Sequence, residues 1–229
     1  TAALEDGSPL VHDDVPNNRC FTYTEHHGDY ASTRERAEVV VSRRFINQRL
    51  IPSAMEPRSV VVQPTGADEY TMWSSTQVPH FVQIFMALVT GIPQQNIRVI
   101  APDVGGGFGS KLDIYAEEAI TLVLAKRLGV PIKWTETRSE ACQVTIHGRD
   151  LIQEAEITAT RDGRVLGLKV DLTADMGAYL QLLTPSIPLL GRYMYPGIYK
   201  FEAHDFSCSG VFTNKTPTDA YRGAGRPEA

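Results

Sequence analysis

Cysteine is scarce in this sequence. Cys20, Cys142 and Cys208 are odd in number, far apart, and form no C-x-x-C pair. No iron–sulfur cluster or zinc ribbon can be assembled from them within the chain, and dispersed thiols of this kind fit a reducing cytoplasm. No apolar run is long enough to span a bilayer, and no secretory signal pattern opens the sequence. Blocks of Lys or Arg are also missing. With a formal charge of −5 the chain has no basic face to neutralise phosphates, which excludes a nucleic-acid binder. The scattered Arg43, Arg44 and Arg49 are expected on a solvated face.

What is present is ordinary globular composition. With 42% hydrophobic and 21% charged residues over 229 positions, the chain can bury a core as one large or two small domains. Residues 1–20 carry Gly7, Pro9 and Pro16 before any apolar period begins, and read as a linker or lead-in segment. Strands are expected at residues 21–24, 38–45, 59–63, 70–74, 97–101, 131–135 and 201–211, with a long hairpin at 151–159 and 165–174. Residues 78–89 predict a helix with Phe81, Ile84, Phe85 and Leu88 on its core face, and residues 112–128 predict a second. The class is α+β, with two sheet-bearing lobes divided near residues 140–149. Glu25-His26-His27-Gly28-Asp29 looks like a metal cluster, but adjacent histidines on a strand point to opposite faces, so these are read as surface polar residues.

The chain is organised around Asp103-Val104-Gly105-Gly106-Gly107-Phe108-Gly109-Ser110-Lys111. Its glycines let backbone N–H groups approach a bound group with no Cβ in the way. Ser110, with Asp113 three residues on, could cap the following helix as a capping-box-like pair, and the helix N-terminus would then favour an anion. Neither familiar phosphate loop fits. Ser110 separates Gly109 from Lys111, and it occupies the position of the third glycine of a dinucleotide fingerprint. A turn that is glycine-rich only to pack a helix on a sheet would explain the loop equally well if it stood alone.

Two further segments accompany it. Ser75-Thr76-Gln77 lies upstream, and Ala220-Tyr221-Arg222-Gly223-Ala224-Gly225-Arg226-Pro227-Glu228 lies downstream. In this order and spacing the three resemble the S-T-Q segment, the GGGFG(G/S/N)K loop and the A-(F/Y)-R-G-x-G loop of the molybdenum hydroxylases, the family of xanthine dehydrogenase and aerobic carbon monoxide dehydrogenase large subunits. Ile51-Pro52-Ser53-Ala54-Met55-Glu56-Pro57-Arg58 also resembles that family, in a stretch that packs and positions its next strand.

The resemblance implies a first molybdopterin-binding lobe over residues 21–140 and a second, β-rich lobe over 141–229. It implies a molybdenum–molybdopterin cofactor, with the dinucleotide form left open, and no direct side-chain ligand to the metal. Gln77 would be both catalytic and cofactor-binding, its amide donating to an oxygen of the molybdenum centre. Gly107, Phe108, Gly109 and Arg222 would bind cofactor, and Leu112 and Ala224 would line the substrate pocket. Implied partners are an iron–sulfur subunit or domain, a FAD subunit or domain, the rest of the large subunit, and a small-molecule substrate. Gly223 stands where copper-containing carbon monoxide dehydrogenases carry a cysteine, and Leu112 and Ala224 replace the glutamate and phenylalanine of purine-oxidising relatives. An aldehyde or N-heteroaromatic substrate is therefore expected. The carbon monoxide branch and a non-catalytic scaffold of the same fold are the alternatives. The family's general base lies in a C-terminal glutamate motif that nothing here matches, so the chain is expected to be a fragment that is catalytically silent and free of molybdenum by itself.

Overall fold

In a computed structural model residues 2–229 are described. Strand β1 (Arg19–His27) leads to the short helix α1 (Tyr30–Arg36), whose first turn is capped by Asp29 accepting the Ser32 N–H, and then to β2 (Val39–Asn47). A hairpin follows, β3 (Ser59–Gly66) and β4 (Glu69–Ser74), and then α2 (Pro79–Thr90), with Pro79 in its first turn and a left-handed Gly91 closing it. Next come β5 (Ile97–Ile100), α3 (Ala116–Leu128), β6 (Ile132–Thr135) and α4 (Arg138–Val144). The chain continues through β7 (Leu151–Ala159), β8 (Val165–Gly177), α5 (Ser186–Leu190) and β9 (Ala203–Phe212).

These elements form two compact units, each with its own sheet. One comprises Thr1–Leu50 and His147–Ala229. Its five strands run in the order β1-β9-β8-β7-β2, antiparallel except for the β8–β9 pair. Alternate residues of β8 and β9, among them Val170, Leu172, Phe206 and Cys208, bury one core. The other unit, Ile51–Ile146, is a four-stranded sheet in the order β5-β4-β3-β6. Val60, Val62 and Met72 of its strands pack with Val82 and Met86 of α2 and Leu122 of α3.

Several expectations change. The lobes are not the contiguous spans 21–140 and 141–229, because β1 pairs with β9 and β2 with β7, which draws the first fifty residues into the unit that ends the chain. The lead-in segment is tied down rather than loose: buried Asn18 donates to the carbonyls of Ala3 and Pro9 and accepts the Val11 N–H. On α2, Phe81, Ile84 and Leu88 are 46%, 45% and 75% exposed, while Val82 and Met86 are the fully buried pair. That helix is apolar almost all round, so periodicity offered two phases and only the sheet chose between them. Arg49 is not solvated. Its half-buried side chain is held among Asp150, Asp175 and the Thr216 carbonyl, partners more than a hundred residues away.

Candidate functional site

The glycine-rich loop leaves β5 and does not open a helix at residue 112. Helix α3 begins at Ala116, capped by Tyr115, whose N–H bonds Glu118. The Ser110 hydroxyl donates back to the Gly107 carbonyl 3.0 Å away, so it is not the cap, and the anion-at-a-helix-terminus reading of the loop falls with it. What shapes residues 105–111 is a set of cross-links to two other loops. Gln77 accepts the Gly109 N–H at its Oε1 (2.9 Å), and its own backbone N–H donates to the Lys111 carbonyl (2.8 Å). Glu56 accepts both the Gly105 N–H and the Lys111 Nζ at 2.7 Å.

The first of these bonds decides the orientation of an amide. A backbone N–H can only pair with the oxygen end of Gln77, which leaves the Nε2 end of this exposed residue as a donor. Gly107 is required for that contact by space rather than by backbone angle. A Cβ there would lie 2.3 Å from Gln77 Oε1 and 2.7 Å from its Cδ. Phe108 next to it holds φ +55° with 40% of its surface exposed, an unusual state for an aromatic L-residue. Strain of this kind persists where surroundings over-determine it, and it gathers at functional loops.

Charge inside the loop is balanced locally. The Lys111 ammonium is essentially buried, with side-chain exposure of 1%, and its partner Glu56 is partly open. Burial alone would raise the Glu56 carboxyl, but the Lys111 and Gly105 hydrogen bonds outweigh it and hold the group below the usual carboxylate range. The loop's own lysine is thus engaged by protein and is not a free cation for a ligand.

The second loop, residues 220–228, belongs to the other unit. It is built from successive turns in which Ala224 N–H bonds the Tyr221 carbonyl and Arg226 N–H bonds the Gly223 carbonyl, with Gly223 and Gly225 at φ +89° and +88°. Gly225 also leaves no room for a side chain, since a Cβ would sit 2.5 Å from that of Leu190. Just before the loop, buried Asp219 accepts the Leu183 N–H and the Thr184 hydroxyl, and burial pushes its carboxyl above the ordinary range. Behind the loop lies Arg149, which donates to the Tyr221 and Arg222 carbonyls and pairs with Glu228.

The sequence-predicted residues therefore fall in two sets. Gln77, Gly107, Phe108, Gly109 and the half-buried Leu112 share one unit, and the first four form one connected arrangement. Exposed Arg222 and half-buried Ala224 share the loop of the other unit. Sequence reasoning gave Lys111 no role and passed over Arg149. Only the positive charge inside an otherwise turn-like stretch could have marked the latter. No helix among the described residues is long and apolar enough to cross a membrane.

Comparison with known proteins adds a family. The molybdopterin cofactor-binding domain model matches residues 11–229. The chain is 35% identical over 204 residues to the 6-hydroxypseudooxynicotine dehydrogenase complex subunit gamma of Paenarthrobacter nicotinovorans, covering 89% of this chain and 26% of that protein. It is 33% identical over 228 residues to the carbon monoxide dehydrogenase large chain of Afipia carboxidovorans, covering 93% and 28% respectively. Among solved structures, quinoline 2-oxidoreductase from Pseudomonas putida 86 superposes with a TM-score of 0.91 at 32% identity, covering 98% of this chain and 29% of that one. The chain thus spans between a quarter and a third of the length of these relatives.

Proposed function

Because the chain belongs to the molybdenum hydroxylase family, a family of molybdenum-dependent oxidoreductases, we propose that it is the cofactor-holding part of a large subunit that hydroxylates an aldehyde or N-heteroaromatic C–H with water. Electrons would leave through iron–sulfur and flavin partners. The observation that carries the reading is the exposed Gln77 amide, its oxygen end held by the Gly109 N–H beside a glycine that must lack a side chain.

The residues suit a molybdopterin. The site offers the exposed Gln77 amide and the exposed Phe108, while the places of the Cβ atoms missing at Gly105, Gly106 and Gly107 are taken by Glu56, Phe108 and Gln77. When bound, the cofactor supplies two-electron redox chemistry. The chain's part is to orient. Gln77 Nε2 would donate to an oxygen of the centre, a preorganised donor facing developing charge. The main chain of Gly107, Phe108 and Gly109 would line one side, and Arg222 would offer a planar cation to an anionic group of the cofactor. Leu112 and Ala224 would bound the substrate with small, uncharged surface. The relative named for quinoline bears an N-heteroaromatic in its name, which supports that arm of the substrate reading.

The similarity to a carbon monoxide dehydrogenase large chain keeps a second reading in view. Against it stands Gly223, which has no thiolate to hold Cu(I) and whose φ of +89° disfavours a cysteine in its place. The test is elemental analysis of the full-length protein with dye reduction by an aldehyde, quinoline and carbon monoxide in parallel. One molybdenum per chain, no stoichiometric copper and turnover with an organic substrate are expected. Copper at one per molybdenum with carbon monoxide-dependent reduction would return the chain to the other branch. In the same protein, Gln77→Ala should cost about 3 kcal/mol of transition-state stabilisation, roughly a hundredfold in turnover. Loss of less than about threefold removes Gln77 from the site.

A further inference from the structure

The second loop carries a feature that its own residues do not explain. Arg149 and Asp150 hold φ +63° and +64°, two consecutive L-residues in the left-handed region. Asp tolerates that region; Arg has no local reason to adopt it. The preceding segment is fastened from both sides. Gly148 exchanges hydrogen bonds with Leu50 at 2.8 and 3.0 Å, His147 N–H bonds the Pro217 carbonyl, and Asp219 N–H bonds the His147 carbonyl. Gly148 also lies so close under the loop that a Cβ would sit 2.3 Å from that of Tyr221.

The outcome of this strained turn is the placement of one guanidinium. Arg149 is 6% exposed at its side chain and donates to the Tyr221 carbonyl at 2.8 Å, the Arg222 carbonyl at 3.1 Å and Glu228 Oε1 at 2.8 Å. Its Cζ also stacks 4.6 Å from the Tyr221 ring centroid. Glu228 is 1% exposed at its side chain, and its main-chain carbonyl is bonded by the Gln153 amide. All of these contacts lie within one unit.

We propose that Arg149 is a positioning residue for Arg222. Its fork ties the start of the loop to its end, and it holds the two carbonyls that flank the Arg222 Cα. That fixes the backbone frame from which the exposed Arg222 side chain projects. Arg149 itself is turned to the protein rather than to the cofactor: its side chain is 6% exposed, its charge is neutralised by Glu228, and its three hydrogen bonds go to the loop. The inference rests on the proposed role of Arg222 toward an anionic cofactor group, but the anchoring itself can be tested without that role.

The experiment uses the full-length protein with Arg149→Met, Arg149→Lys, Arg222→Met, the double variant R149M/R222M, and the neutral pair R149M/E228Q, which leaves no buried charge unpartnered. Amide hydrogen exchange comes first. Arg149→Met and the neutral pair should speed exchange at Ala224 and Arg226 at least about tenfold while β7–β9 stay protected; unchanged exchange there overturns the anchoring, whether or not cofactor is present. Molybdenum content and the Mo(V) electron paramagnetic resonance signal come second. The neutral pair should melt near the parent, yet lose on the order of a hundredfold in turnover. Its Mo(V) signal should match that of Arg222→Met, the Lys variant should recover part of the loss, and R149M/R222M should be no worse than R222M alone. Additive losses, or a parent-like signal in the neutral pair, overturn the proposal. A parent that holds no molybdenum overturns the cofactor reading, and exchange at Ala224 then still decides whether Arg149 anchors the loop.

Discussion

Gly107→Ala separates a stability effect from a functional one. The backbone at Gly107 is not in the left-handed region, so an alanine is conformationally acceptable there. The new methyl would meet Gln77 at 2.3 Å from Oε1, 2.7 Å from Cδ and 2.9 Å from Cγ, so the whole side chain must swing away. Swinging breaks the 2.9 Å bond from Gly109 N–H, which is worth about 1 kcal/mol. A displaced rotamer costs about another 1 kcal/mol, and the stiffer unfolded chain returns part of it. The net destabilisation should be only about 1 kcal/mol by urea titration. Turnover of the full-length enzyme should fall far more, roughly a hundredfold, because the preorganised Nε2 donor is lost. The mechanism is checked by repeating the substitution in a Gln77→Ala background. There the methyl has nothing to displace, and the stability cost should shrink by about 1 kcal/mol. An equal cost in both backgrounds would refute the claim that Gly107 is a glycine for the sake of Gln77.

Further expectations concern charge, packing and thiols. Glu56 titrates below its usual 4.5, so its contribution to stability is complete above that pH and is lost as pH falls through the lower folded value. Melting curves taken below about pH 5 should show this acid slope in the parent and a smaller one in Glu56→Gln; equal slopes would mean that the Lys111 pair does not stabilise the loop. On α2, Met86→Ala should cost about 2–5 kcal/mol and Leu88→Ser less than about 1 kcal/mol, and the reverse ranking by denaturant titration would restore the core face expected from periodicity. The Cys208 thiol, fully buried and pushed up to about 12, should resist alkylation at pH 8 until the protein unfolds. Labelling of Cys208 in native protein, read by peptide mass spectrometry, would contradict its burial.

Much was legible from residues alone, because the governing forces are local. The hairpin of β7 and β8 follows from alternation, clearest in β8, around a glycine turn at Gly163, and the ends of α2 follow from Pro79 and Gly91. The short motifs around Gln77, Phe108 and Arg222 marked the family that the domain match over residues 11–229 bears out, since such motifs depend on residue type and order. Tertiary structure decided what depends on distant partners. Pairing of β1 with β9 and β2 with β7 reassigned the first fifty residues, because strand partners are chosen by complementary edges that no window of sequence contains. Which apolar stripe of α2 is core was settled by the sheet it covers. Likewise, nothing in the sequence marked Lys111 or Arg149 as buried until the fold set Glu56 and Glu228 against them. A charge goes inside only where its partner is brought to it, and that pairing exists only in three dimensions.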